Sequence, residues 1–144
     1  MTAPKYSINI LTIDRSRRGR SNYLPTTMRS LVASGLFDRS DFRLTLWEGA
    51  PAKGDYLEEA LREVPPAARS RIIVDRSPEP THLIEHTARV LREAARSGSE
   101  YVLMLEDDIL VVHDWLGCID DWIERFFADA DYPVATFFAA FDVV

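Results

Sequence analysis

The chain has 144 residues, 47% of them hydrophobic and 28% charged, with a formal net charge of -6 at pH 7. That length supports one domain with a real core, the apolar content excludes a disordered chain, and the acidic balance argues against non-specific nucleic-acid binding. The single cysteine, Cys118, excludes an intramolecular disulfide and argues against a cysteine-based zinc site.

The first strand is expected from Tyr6 to Ile13, a stretch rich in β-branched residues that ends at Asp14-Arg15. This apolar run is short and contains Asn9, so it does not read as a signal peptide, and a cytoplasmic protein is expected. A basic loop follows, Arg15-Ser16-Arg17-Arg18-Gly19-Arg20, which reads as a solvated loop, a phosphate contact or, third, a nucleic-acid contact. Leu24, Thr27, Met28, Leu31 and Val32 share one face of a helix over 23–34, which Gly35 stops. Phe42 to Trp47 alternates apolar and polar as a strand near one sheet edge would. A short helix over 56–63 precedes Pro65-Pro66.

Arg71 to Val74 reads as a compact strand ending at Asp75. Ser77-Pro78 suggests the start of a helix that runs to about Ser97. Its expected buried face is Leu83, Ile84, Thr87, Ala88, Leu91, Ala94 and Ala95. On that reading His82 and His86, in the pattern His-Leu-Ile-Glu-His, share a solvated surface. The pattern resembles a zinc-protease motif, but no third ligand is identifiable and the zinc reading is set aside. After the next strand, Asp114 caps a helix with Trp115, Leu116, Ile119, Trp122, Ile123, Phe126 and Phe127 on one face, and Cys118 reads as a small core residue. Val134 to Phe141 is apolar on both faces and reads as a central buried strand.

Strands alternate with helices throughout. The pattern predicts a single α/β domain over 1–144, a Rossmann-like open, mainly parallel sheet with helices on both faces. The strand ends carrying Asp14-Arg15, Glu48, Asp75 and Glu106 to Asp108 then lie on one side of the sheet.

The sharpest chemical signal is Tyr101-Val102-Leu103-Met104-Leu105-Glu106-Asp107-Asp108, an apolar run ending in adjacent carboxylates, with Ile109-Leu110-Val111-Val112 after it. Like charges repel, and desolvation penalises each carboxylate. A divalent cation removes that cost, and Mg²⁺ or Mn²⁺ prefers hard oxygen ligands. The bland alternative is a solvated turn after a strand.

Glu106-Asp107-Asp108 after Tyr-Val-Leu-Met-Leu resembles the metal-binding Asp-X-Asp motif of GT-A-fold glycosyltransferases, with Ser97-Gly98-Ser99-Glu100 as a similar lead-in. Within that fold, Tyr23-Leu24-Pro25-Thr26-Thr27-Met28-Arg29-Ser30-Leu31, after Leu11-Thr12-Ile13-Asp14-Arg15, is similar to the N-acetylglucosaminyltransferase IV family. The resemblance implies a nucleotide-sugar donor, a UDP-sugar for preference, and a Mn²⁺ or Mg²⁺ cofactor. It implies that Ile13, Asp14, Arg15 and Asp75 lie near base and ribose, and that Asp107 lies within the donor site. Asp108 would bind the metal, and Glu106 would touch ribose, the metal or a metal-bound water.

Two departures qualify the resemblance. Glu stands where Asp is commoner, and the acceptor-binding half of such enzymes has no counterpart before Val144. The expectation is therefore the donor-binding half of a glycosyltransferase. The alternative is a non-catalytic, degenerate interaction module, and the uncovered strand over 134–141 would call for a homodimer or a complementing chain. A receiver-like phosphoacceptor domain fits less well, because its acid pair normally follows the first strand and here the acids come later.

Overall fold

The structure is a computed structural model that describes residues 3–16, 19–50 and 55–127. The chain forms two compact units, Met1–His113 and Asp114–Val144. The first unit is built on four parallel strands: β1 (Tyr6–Thr12), β2 (Phe42–Glu48), β3 (Ile72–Arg76) and β4 (Tyr101–Glu106). Their spatial order is β3-β2-β1-β4. The helices are α1 (Leu24–Ala33), α2 (Tyr56–Arg62), α3 (Pro66–Arg69) and α4 (Leu83–Ala95), with a short 3₁₀ turn at Leu36–Asp38. This is the open, parallel, Rossmann-like α/β arrangement that the alternation implies.

Topology puts helices on both faces. The connections from β1 to β2 and from β2 to β3 step in one direction, and the connection from β3 to β4 returns across β2 and β1. With right-handed crossovers, α1 and α2 fall on one face and α4 on the other. The α1 side is the apolar core. Ile8, Ile10, Leu44 and Leu46 alternate onto it and are fully buried with Leu24, Met28 and Leu31 of α1. Each such side chain contributes about 1.5–3 kcal/mol of burial.

The opposite face is polar, yet largely closed. Asn9 donates to Ser7 O at 3.0 Å and Leu103 O at 3.3 Å, and accepts from Trp47 Nε1 at 2.9 Å. β2 lies near one edge, as expected: it pairs with β1 on one side and with the edge strand β3 on the other. Its alternation marks an apolar face and a hydrogen-bonded polar face, not a wet one.

The helix expected from Ser77 begins only at Leu83. Pro80 disfavours helical geometry at Glu79, and Ser77 Oγ turns back to donate to Glu79 O at 2.7 Å. His82 is the N-cap, with Nδ1 accepting from Ile84 N at 3.4 Å. The buried face of α4 is His86, Val90 and Ala94, whereas Leu83 and Ile84, expected inside, are 70% and 72% exposed. His86 is therefore not on a solvated surface with His82: it is buried, and its Nε2 meets Trp47 O at 3.1 Å.

In the second unit the described residues form α5 (Trp115–Phe126). Asp114 takes the N-cap position with φ of 50° but makes no side-chain cap hydrogen bond. Its carboxylate lies over Gly117, where a Cβ would come within 2.5 Å of it. Trp122 packs on Phe126 and Phe127 with ring centroids 5.1 and 4.7 Å away. Trp115 and Leu116 are buried, but Phe126 is 64% exposed, so the apolar stripe is only partly inside. Cys118, expected in the core, is exposed and free. The strand expected over 134–141 lies outside the described residues. No helix among the described residues is long and apolar enough to cross a membrane.

Candidate functional site

Strand order fixes where a ligand fits. β1 connects towards β2 on one side, while β4 arrives on its other side. The crevice at the C-terminal ends of β1 and β4 is therefore the topological switch point, the usual ligand position in open α/β sheets. Leu11 pairs in register with Glu106, so the segment after Thr12 runs beside Asp107 and Asp108.

The three acids take different parts. Side chains alternate along a strand, and the alternation continues past Leu103 and Leu105 to turn Asp107 inward. Asp107 is 3% exposed. It accepts from Thr12 Oγ1 at 2.7 Å, Ile13 N at 3.4 Å and Arg15 Nη2 at 2.5 Å. The bond to Asp107 raises the Arg15 guanidinium above its ordinary pKa, against the opposing effect of its own partial burial. Asp107 thus ties the β1 loop to the end of β4. α1 holds the same turn from below: Thr27 Oγ1 is shared between Asp107 O at 2.7 Å and Ile109 O at 2.9 Å, and Ser30 Oγ accepts from Val111 N at 3.3 Å.

Asp108 and Glu106 face outward. The Asp108 side chain is 42% exposed and meets Arg15 Nη2 only at 3.8 Å. Glu106 is exposed. Asp14, in contrast, is turned into its own loop: Oδ1 accepts from Ser16 N at 3.0 Å, Ser16 Oγ at 2.6 Å and Asn22 Nδ2 at 3.2 Å. Arg15 N donates to Asn22 Oδ1 at 2.7 Å, which closes the loop. Ile13 and Tyr23 are left as exposed apolar surfaces, with the Tyr23 ring centroid 5.4 Å from the Arg15 guanidinium.

Of the other strand-end acids, Asp75 is separate from this group, whereas Glu48 pairs in register with Thr12. Asp75 lies within β3, three strand spacings from β4, or about 14 Å at ~4.8 Å per spacing. It is bonded to Arg89 of α4, whose guanidinium also lies over the Trp47 ring at 5.5 Å. Glu48 is 1% exposed and its Oε1 has no partner among the described residues.

Tyr56 is 2% exposed. Burial pushes its phenol well up from the ordinary value; the Thr12 hydroxyl opposes that rise and Glu48 adds to it, yet no group among the described residues meets the hydroxyl in hydrogen-bonding geometry. An unpaired buried hydroxyl costs about 1–3 kcal/mol. Tyr56→Phe is therefore expected to leave stability unchanged or to raise it by about 1 kcal/mol, read from urea unfolding. A loss of that size would mean that the hydroxyl has a partner.

Asp108 and Glu106 are the carboxylates of this motif that face solvent. Among the described residues no three His, Cys, Asp or Glu side chains converge as a closed metal cage. Mg²⁺ and Mn²⁺ sites of the nucleotide-binding kind use one or two carboxylates and complete their shell with phosphate oxygens and water. Asp108, whose side chain is 42% exposed, and Glu106, also exposed, are the carboxylates such a site would draw on.

The sequence reading missed Thr12, Thr27 and Tyr23. The signal for Thr27 was a hydroxyl on the otherwise apolar face of α1, where a buried polar atom must find a partner. No family model matches the chain, and no curated protein matches it.

Proposed function

We propose that the crevice between β1 and β4 binds a nucleoside-diphosphate sugar together with Mn²⁺ or Mg²⁺, and that the chain is the donor-binding part of a GT-A-type glycosyltransferase transferring a hexosyl or N-acetylhexosaminyl group. The observation that carries this reading is the position of Asp108, a solvent-facing carboxylate at the topological switch point of a parallel sheet. Resemblance of the acidic motif to the Asp-X-Asp motif of GT-A-fold glycosyltransferases, and of the 23–31 segment to the N-acetylglucosaminyltransferase IV family, points the same way.

Each residue has a part. Asp108 holds the cation through an oxygen that accepts no hydrogen bond from the described residues, and Glu106 takes ribose or a cation-bound water. Asp107 does not touch the donor; it fixes the Arg15 guanidinium at the crevice, where positive charge favours the diphosphate. Ile13 and Tyr23 offer apolar surface to a base, with a UDP-sugar favoured. Asp75, on β3 and paired with Arg89, is assigned to base or ribose by the resemblance alone. When bound, the cation neutralises the charge that develops on the departing diphosphate.

Isothermal titration of UDP- and GDP-sugars into the protein, with and without Mn²⁺, tests this. UDP-sugar binding should appear with Mn²⁺ and weaken at least about tenfold, or 1.4 kcal/mol, in chelator. Absence of metal-dependent binding for every common nucleotide would overturn the proposal. Binding without any release of nucleoside diphosphate would favour a non-catalytic module.

A further inference from the structure

α4 is apolar on two stripes. His86, Val90 and Ala94 meet the sheet. The second stripe, Ile84, Ala88, Leu91 and Ala95, is spaced four, three and four residues apart, and all four residues are exposed. That spacing is the seam of a two-helix coiled coil. Ile84 is 72% and Leu91 47% exposed, and Leu83 beside them is 70% exposed.

The charges flanking the seam say what covers it. Glu85 and Arg92 border it on one side, both exposed and neither with an ion-pair partner among the described residues. Their neighbours are already engaged: Arg89 with Asp75, and Glu93 with Arg96 at 2.8 Å. Seven residues separate Glu85 from Arg92, about 10.5 Å along the axis, so neither the same helix nor a parallel copy brings them together. An antiparallel copy does. It sets Ile84 against Ala95 and Ala88 against Leu91, large against small in both layers, and it places Glu85 of each copy beside Arg92 of the other.

We propose that α4 is the contact surface of a homodimer, pairing antiparallel with α4 of a second copy about a two-fold axis. The arrangement is isologous, so each favourable contact occurs twice. The seam is only about 16.5 Å long at 1.5 Å per residue. Such a small interface gives association in the micromolar range rather than a permanent dimer.

Sedimentation of the full chain across micromolar concentrations is the test. A monomer–dimer equilibrium is expected, and Leu91→Glu should weaken it at least about tenfold, or 1.4 kcal/mol, while leaving thermal unfolding unchanged. Glu85→Arg and Arg92→Glu should each weaken self-association. Mixed together, the two single variants should associate as well as the parent, because opposite charges then meet at both positions. The double variant should recover self-association. A monomer at every concentration, association indifferent to Leu91→Glu, or single charge variants that fail to pair with each other would overturn the proposal. Unfolding by Leu91→Glu would overturn it too, since it would place the stripe inside one chain.

Discussion

Asp107→Ala is expected to destabilise the protein by about 3 kcal/mol, a large share of the stability of a small domain. Three donors lose their acceptor at once: Thr12 Oγ1, the Ile13 amide and the Arg15 guanidinium. The Arg15 side chain is 26% exposed, so water relieves part of its loss, whereas Thr12 is 4% exposed and has little access to a substitute. Asp107→Asn should recover part of the loss, because one carboxamide oxygen still accepts while the charge that Arg15 faces is gone. Urea unfolding midpoints give the comparison. Stability near that of the parent in Asp107→Ala would show that the central acid does not fasten β1 to β4.

Asp108→Ala is expected to do the reverse. Its carboxylate accepts no hydrogen bond within the described residues and lies 3.8 Å from Arg15, so stability should stay within about 0.5 kcal/mol of the parent. Removing one of two adjacent negative charges relieves repulsion, which works in the same direction. Cation-dependent donor binding should weaken on the order of a hundredfold, about 2.7 kcal/mol, since a hard cation loses its best-placed protein oxygen. Glu106→Ala should be milder, on the order of tenfold, because its expected contact is ribose or a bound water. Parallel titrations of the two variants with Mn²⁺ and a UDP-sugar separate these outcomes. If Glu106→Ala proved the more damaging, the two roles would be exchanged.

The split between Asp107 and Asp108 shows how far residue order alone reaches. Strand and helix periodicity placed the four strands, α1, α2 and the body of α4 but not α3, and the alternation of strands with helices was enough for a parallel sheet. The alternation through Leu103 and Leu105 also contained the inward turn of Asp107. What it lacked was the partner set, because Thr12, Ile13 and Arg15 lie more than ninety residues away and only the pairing of β1 with β4 brings them together. The burial of α4 was misjudged for a different reason. Ile84, Ala88 and Leu91 form one apolar stripe and His86, Val90 and Ala94 another, and helical periodicity cannot choose between two acceptable faces. Hydropathy favoured the first, whereas packing chose the second, where small Ala94 and the bond from His86 to Trp47 O allow close approach. Asp75 was legible as a strand-end acid, but its engagement by Arg89 depended on the side of the sheet α4 would take.

The proposed donor site depends on a divalent cation bound at the ends of β1 and β4 through Asp108. Paramagnetic broadening of backbone amide resonances by substoichiometric Mn²⁺, recorded with and without UDP, tests it directly. Selective loss of the amides of Ile13 to Arg15 and of Glu106 to Ile109 is expected, sharpened by UDP and abolished in Asp108→Ala. Broadening centred instead on the opposite end of the sheet, around Asp38 and Asp41, or broadening unaltered by Asp108→Ala, would contradict it.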